Sequence, residues 1–269
     1  MTTAPTLDFW YEFASTYSYL SVMRAPQAAL DAGVTLTFRP FLLGPIFAAQ
    51  GWNDSPFKLF PIKGQYMWRD MERLTADLGL PLRRPSVFPR NGLHAARVAL
   101  TFADPQPFTQ AVFHANFGED RSTERPEVLA EILTDLGHDA AAVLEAANAP
   151  ANKDRLRAQT ESAMQQGIFG APSFVTRGEV FWGHDRLAQA LRGSGLSTRG
   201  AASALVRVAT GSIPSPHHHH DLLGFLTIDL VGSAHDEKQV DQGHDPAKSE
   251  GQQLENAQRR VADIEAVGA

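Results

Sequence analysis

Four segments of this 269-residue chain carry residue types that can do chemistry. In Phe13-Ala14-Ser15-Thr16-Tyr17-Ser18-Tyr19-Leu20, a hydroxyl sits where an alternating apolar run gives way to helical spacing. A strand-to-helix junction lies at the carboxyl end of a strand, where open α/β sheets bind ligands. The free N–H groups and positive dipole end of the helix suit an anion. Ser15 could donate a hydrogen bond to a thiolate or oxyanion there. It could also serve only as the helix N-cap, the role that position alone favours.

The second segment is Gly170-Ala171-Pro172-Ser173-Phe174. An X-Pro bond entering a strand can be cis, and the residue before it can then offer its backbone to an extended peptide ligand. A trans proline opening an edge strand is the plainer alternative. The third is a polar loop, Gly51-Trp52-Asn53-Asp54-Ser55-Pro56. In the fourth, Trp182-Gly183-His184-Asp185-Arg186-Leu187, Asp185 could cap the last helix or bind a cationic amine.

Other chemistry is excluded. The chain has no cysteine, which removes disulfides, thiolate zinc sites, iron–sulfur ligation and a cysteine nucleophile. The histidine run 217–220 lacks the i, i+4 pairing and acidic partner of a catalytic zinc site, so no metal site is expected. There is no P-loop, no GxGxxG after a strand and no Gly-x-Ser-x-Gly elbow.

The elements that must hold these residues follow from periodicity. Leu7, Phe9, Tyr11 and Phe13 alternate, which predicts a strand. Tyr19, Leu20, Met23 and Leu30 are spaced for a helix from about Ser18 to Asp31, ended by Ala32-Gly33. Residues 34–41 alternate again, completing a strand–helix–strand unit with a parallel pair. The stretch Gly44–Pro61 reads as a long loop. Helices are expected over 60–78, 92–102, 108–117, 126–136, 140–147 and 153–166, punctuated by Pro and Gly. Two short strands, 173–176 and 180–182, flank Arg177-Gly178-Glu179, and a closing helix covers 185–191.

After Gly193 the composition shifts to Gly, Ser, Thr and Ala, then to an acidic, polar end. Ten acidic and four basic residues in 221–269 account for the whole net charge of −6, leaving 1–220 neutral. We expect one folded domain over 1–192, with its core at about 6–60 and 168–192 and a helical insertion at about 61–167. A largely disordered tail is expected over 193–269. A neutral body argues against nucleic acid. No apolar run approaches the ~18 residues of a membrane span. Met1–Pro5 lacks signal-peptide character, so a cytoplasmic protein is expected.

Taken together, the segments resemble the 2-hydroxychromene-2-carboxylate isomerase family, related to kappa-class glutathione transferases in the DsbA-like branch of the thioredoxin superfamily. The resemblance is carried in order by Asp8–Ser15 with Tyr17–Leu20, Gly51–Asn53 with Pro56, Tyr66–Arg73, Phe88-Pro89-Arg90-Asn91, Phe169–Phe174 and Trp182–Leu187. It spans residues 6–192 and implies an α/β fold, a βαβ–ββα core with an inserted all-helical domain. It implies glutathione as cofactor, with Ser15 stabilising the glutathione thiolate and Ala171 pairing with the cysteinyl unit beside a cis Pro172. His184 and Asp185 would hold the γ-glutamyl end, and Asn53 would line the site near the sulfur. The implied reaction interconverts a hydroxychromene carboxylate and a benzylidenepyruvate, with a homodimer expected. The alternatives are a kappa-like glutathione transferase and a non-catalytic glutathione- or peptide-binding module.

Overall fold

A computed structural model describes residues 4–195. The expectations for the tail and for the histidine run lie outside the described residues.

Strand β1 (Thr6–Tyr11) is followed by α1 (Thr16–Ala32) and β2 (Thr35–Pro40). Strands β3 (Ser173–Thr176) and β4 (Glu179–Trp182) come late in the chain. The sheet order is β2-β1-β3-β4, with β1 parallel to β2 and antiparallel to β3, and β3 antiparallel to β4. This is the expected βαβ–ββα core. The β3–β4 connection is two residues, Arg177 (φ 52°) and Gly178 (φ 78°). Two consecutive positive φ values give the primed turn whose twist matches the strands it joins.

The alternation of β1 is realised as expected. Leu7, Phe9 and Tyr11 are fully buried on one face, and Phe9 stacks on Phe174 of β3 at 5.1 Å. The strand ends at Tyr11, before the expected Phe13, because the chain turns at Glu12–Ala14 into the helix. Phe13 still reaches the same core, edge-on to Tyr11 and stacked on Phe113. The opposite face is buried as well: Trp10 packs with Phe41, Ile46, Ala163, Ile168 and Val175.

Helix α1 starts two residues earlier than the spacing suggests, because Ser15 itself is the cap. It ends at Gly33, whose φ of 67° lets its N–H close on the carbonyls of Ala29 and Leu30. Its inner face carries Ala25, Ala28, Ala29 and Ala32, small side chains that let the helix lie close to the sheet.

The stretch expected as a loop instead forms α2 (Leu43–Ala49) and α3 (Pro56–Leu59). Gly44 and Pro45 mask the helical signal of α2. The turn at Gly51, φ 79°, closes it by an N–H bond to the carbonyl of Ala48. The remaining helices are α4 (Pro61–Asp77), α5 (Leu93–Ala99), α6 (Gln106–Phe113), α7 (Pro126–Asp135), α8 (Ala140–Asn148), α9 (Pro150–Gln165) and α10 (Leu187–Gly193). The helix expected over 108–117 is split: α6 ends at Phe113, and His114–Gly118 form a π-helical turn. These helices share a core with the sheet. Met67, Met71, Phe108, Phe113, Phe117 and Leu133 belong to the same buried cluster as Leu7, Phe9 and Tyr11.

Candidate active site

Ser15 is the N-cap of α1, in extended conformation at φ −78°, ψ 117°. Its Oγ accepts the Ser18 N–H at 3.2 Å and donates to the Ala171 carbonyl at 2.9 Å. The sequence left capping and chemistry as rivals, but the hydroxyl makes the cap and also reaches across 156 residues to the Ala171 loop. The Ala171–Pro172 bond is cis. Ser173 Oγ donates to the Gly170 carbonyl at 2.8 Å, and Gly183 N–H donates to the Pro172 carbonyl at 2.9 Å. The β4–α10 turn is thereby tied to the Ala171-Pro172 step.

That turn carries His184. Its ring lies parallel to that of Tyr17, 5.3 Å away at 7°. The Tyr17 hydroxyl donates to Asp70 of α4 at 2.9 Å. His184 Nδ1 is buried and has no hydrogen-bond partner in the structure. Burial holds the His184 imidazolium below its ordinary range, with Arg24 acting in the same direction and Asp185 and Asp70 against it. The ring is therefore neutral at neutral pH. Burial and the Asp70 carboxylate push the Tyr17 hydroxyl up. Asp185 pairs with its neighbour Arg186 at 2.8 Å rather than capping the last helix. A 3₁₀ turn, His184–Arg186, precedes α10, and neither has a side-chain cap bond.

Asn53 stands apart. It is exposed, and among the described residues no hydrogen bond or ring contact joins it to Ser15, Ala171 or His184. Its loop reaches the site through the neighbouring α3, whose Phe57 packs on Tyr17 at 6.4 Å.

The approach to Ser15 contains a buried acid that the sequence reading overlooked. Glu12 is only 8% exposed. Its Oε2 accepts the Ala14 N–H at 2.8 Å, and its backbone carbonyl accepts the Ser15 N–H at 3.0 Å. Burial pushes its carboxyl up to about 7, against the Ala14 bond that favours the ionised form. The available signal was a carboxylate placed directly after a run of core aromatics. Tyr17 and Asp70 both lie inside segments already singled out, but nothing in their spacing shows that α1 and α4 face each other. Among the described residues no group of His, Asp and Glu could hold a metal ion, and no helix is long and apolar enough to cross a membrane.

Comparison with known proteins agrees with the fold that carries this site. The DSBA-like thioredoxin domain pattern matches residues 6–192. The chain is similar to 2-hydroxychromene-2-carboxylate isomerase of Sphingobium xenophagum, 30% identical over 184 residues, covering 68% of this chain and 94% of that protein. It is also similar to glutathione S-transferase kappa 1 of Homo sapiens, 25% identical over 199 residues, covering 68% of this chain and 87% of that one. A solved structure of a 2-hydroxychromene-2-carboxylate isomerase superposes with a TM-score of 0.64 at 25% identity, covering 76% of this chain and 97% of that one.

Proposed function

The chain belongs to the 2-hydroxychromene-2-carboxylate isomerase family, within the DsbA-like thioredoxin domain group, and we propose that it is a glutathione-dependent isomerase interconverting a hydroxychromene carboxylate and a benzylidenepyruvate. The observation that carries this reading is the Ser15 hydroxyl, capping α1 and bonded to the Ala171 carbonyl in a chain without cysteine. A thioredoxin-type scaffold lacking its own thiol needs a sulfur from elsewhere. Glutathione is the chemically apt donor, and the name of the human relative supports it.

The residues present suit that cofactor. In our reading Ser15 faces the sulfur, and the backbone of Ala171, beside Pro172, meets the cysteinyl unit. His184 and Asp185 hold the γ-glutamyl end, and Asn53 borders the substrate. The unpartnered Nδ1 of His184 fits a site that lacks one of its hydrogen-bonding groups. When bound, glutathione supplies the nucleophilic thiolate.

The chain's part is to hold negative charge. Helix α1 contributes unsatisfied N–H groups and its positive dipole end, and no acidic residue lies in its first turn. A serine hydroxyl has one proton. For Ser15 to donate to a thiolate, it must leave the Ala171 carbonyl, which frees that carbonyl to accept an N–H from the ligand. One rotation of Oγ–H thus serves both contacts. The aromatic carboxylate substrate must be drawn by local groups, since residues 1–220 carry no net charge. The exposed side chains Leu59 of α3, Phe60 at the α3–α4 joint, and Ile62 and Tyr66 of α4 suit the expected homodimer contact.

Turnover of a hydroxychromene carboxylate with substoichiometric glutathione tests the reading. Isomerisation with glutathione unconsumed is expected, whereas accumulation of a conjugate would make the protein a kappa-like transferase. Ser15→Ala should lower kcat about 100-fold or more while glutathione binding persists, by analogy with the loss of one preorganised donor to a developing anion. Unchanged rates in that variant would leave only a binding module.

A further inference from the structure

The motif Phe88-Pro89-Arg90-Asn91 has no part in the site described above, yet its arginine is among the most deeply buried charges of the described residues, 4% exposed. Arg90 is held by Asp120 Oδ1 at 2.5 Å, Ser86 Oγ at 3.2 Å and the Arg121 carbonyl at 2.9 Å. Its remaining reach is toward Asn116, 2% exposed, whose Oδ1 accepts from Arg90 at 2.8 Å.

A guanidinium only donates, so the Asn116 atom facing it must be the oxygen. That fixes the amide and aims Nδ2 at the Phe13 carbonyl, 3.4 Å away. The π-helical turn His114–Gly118 includes Asn116. An extra residue in the turn shifts the side chains that follow it, and such turns recur at functional sites.

The Phe13 carbonyl and the Ala14 N–H belong to one planar peptide unit. The carbonyl end is held by Asn116, and the N–H end by Glu12 Oε2 at 2.8 Å. The next residue is Ser15. Gly92 keeps the clamp compact, because a Cβ there would stand 2.7 Å from Glu12 Oε1 and 3.0 Å from Phe13 Cβ.

We propose that Asn116, oriented by Arg90, is a positioning residue for the reaction: with Glu12 it clamps the Phe13–Ala14 peptide and so aims the Ser15 hydroxyl. This inference rests on the reading of Ser15 as the thiolate donor. Asn116 and Arg90 touch no reacting atom and act only through the peptide before Ser15.

Asn116→Asp separates the clamp from mere folding. An aspartate keeps an oxygen for Arg90 but, ionised, has no N–H for the Phe13 carbonyl. The measurements are the pH titration of the ultraviolet thiolate absorbance of bound glutathione, kcat and KM, and thermal unfolding. The expected result is a thiol pKa raised by about one unit, a roughly tenfold loss of thiolate at pH below both values. A comparable fall in kcat, little change in KM and a Tm close to the parent's should accompany it. A thiol titration and kcat equal to the parent's would overturn the proposal. If Ser15→Ala itself leaves the thiol pKa unchanged, the glutathione reading fails and this proposal with it, and that comparison does not involve Asn116. Should Asn116→Asp not fold, Arg90→Lys keeps the cation but loses the forked geometry that orients Asn116, and the same shift in smaller degree is expected. A folded Arg90→Lys protein with the parent's titration would equally overturn the proposal.

Discussion

At the scale of single residues, the site depends on two groups kept in unusual states by burial. The Glu12 carboxyl, raised to about 7, is neutral in the folded protein over a pH range where an unfolded chain has already ionised it. Between about pH 4.5 and 7 the folded state therefore holds one more proton than the unfolded state. Stability must fall as pH rises through that window and level off above it, by a few kcal/mol from this residue. Glu12→Gln keeps an oxygen for the Ala14 N–H and abolishes the titration, so its urea midpoint should lose this component of the pH slope. A variant with the parent's slope would assign the effect to another group. His184 works in the opposite direction. Its depressed imidazolium resists protonation, so the folded state holds less proton there than the unfolded chain and this residue's contribution to stability is lost as pH falls.

At the scale of elements, α3 and α4 form a wedge behind the site. Gly64 on α4 passes so close to α3 that a Cβ would lie 2.3 Å from the Phe57 carbonyl. Phe57 in turn packs on Tyr17, whose hydroxyl returns to Asp70 on α4. Gly64→Ala must push the two helices apart, at a cost of about 1–3 kcal/mol from overpacking. Because Phe57 moves with α3, the variant should also raise KM while leaving kcat closer to the parent's value. Chemical denaturation with steady-state kinetics checks both parts. Helix α1 is anchored near its N-terminus by three side-chain bonds, two to α4 and one to the segment that follows α4. Thr16 donates to Met67 Sδ at 3.1 Å, Tyr17 to Asp70, and Tyr19 to the Pro81 carbonyl at 2.8 Å. A hydroxyl whose role depends on direction requires a helix that cannot rock.

At the scale of the whole molecule, one buried cluster runs from the sheet through α1 into the helices of the insertion. Phe13, Phe113, Tyr19 and Phe117 are in ring contact across that seam. Burying each such aromatic contributes about 1.5–3 kcal/mol, so insertion and core should not melt separately. A protein truncated after Gly195 should therefore unfold in one cooperative transition and keep any turnover of the proposed substrate that the full chain shows, since the family match ends at residue 192. The same cut removes ten acidic and six basic residues, taking the net charge from −6 to −2, so the isoelectric point should rise above about 5.9. Two separated calorimetric transitions would show that insertion and core melt independently, and lost activity would assign the tail a part in turnover.

Much was determined by sequence alone, because period-two and period-3.6 patterns report which face of a local segment is buried. The βαβ and ββα units, the long helices and the Ser15 junction are all local in this sense. The missing cysteine, together with the ordered motifs, pointed to a borrowed thiol. Pairings between distant segments left no such trace. Ser15 meets Ala171 across 156 residues, Tyr17 meets Asp70 across 53, and Asn116 meets Phe13 across 103. The π turn at Asn116 breaks the periodicity on which sequence reading relies. The raised carboxyl of Glu12 exists only because sheet and helices close over it. Sequence therefore named the hydroxyl, and tertiary structure alone decided what it points at, since the direction of a side chain is set by the elements packed around it.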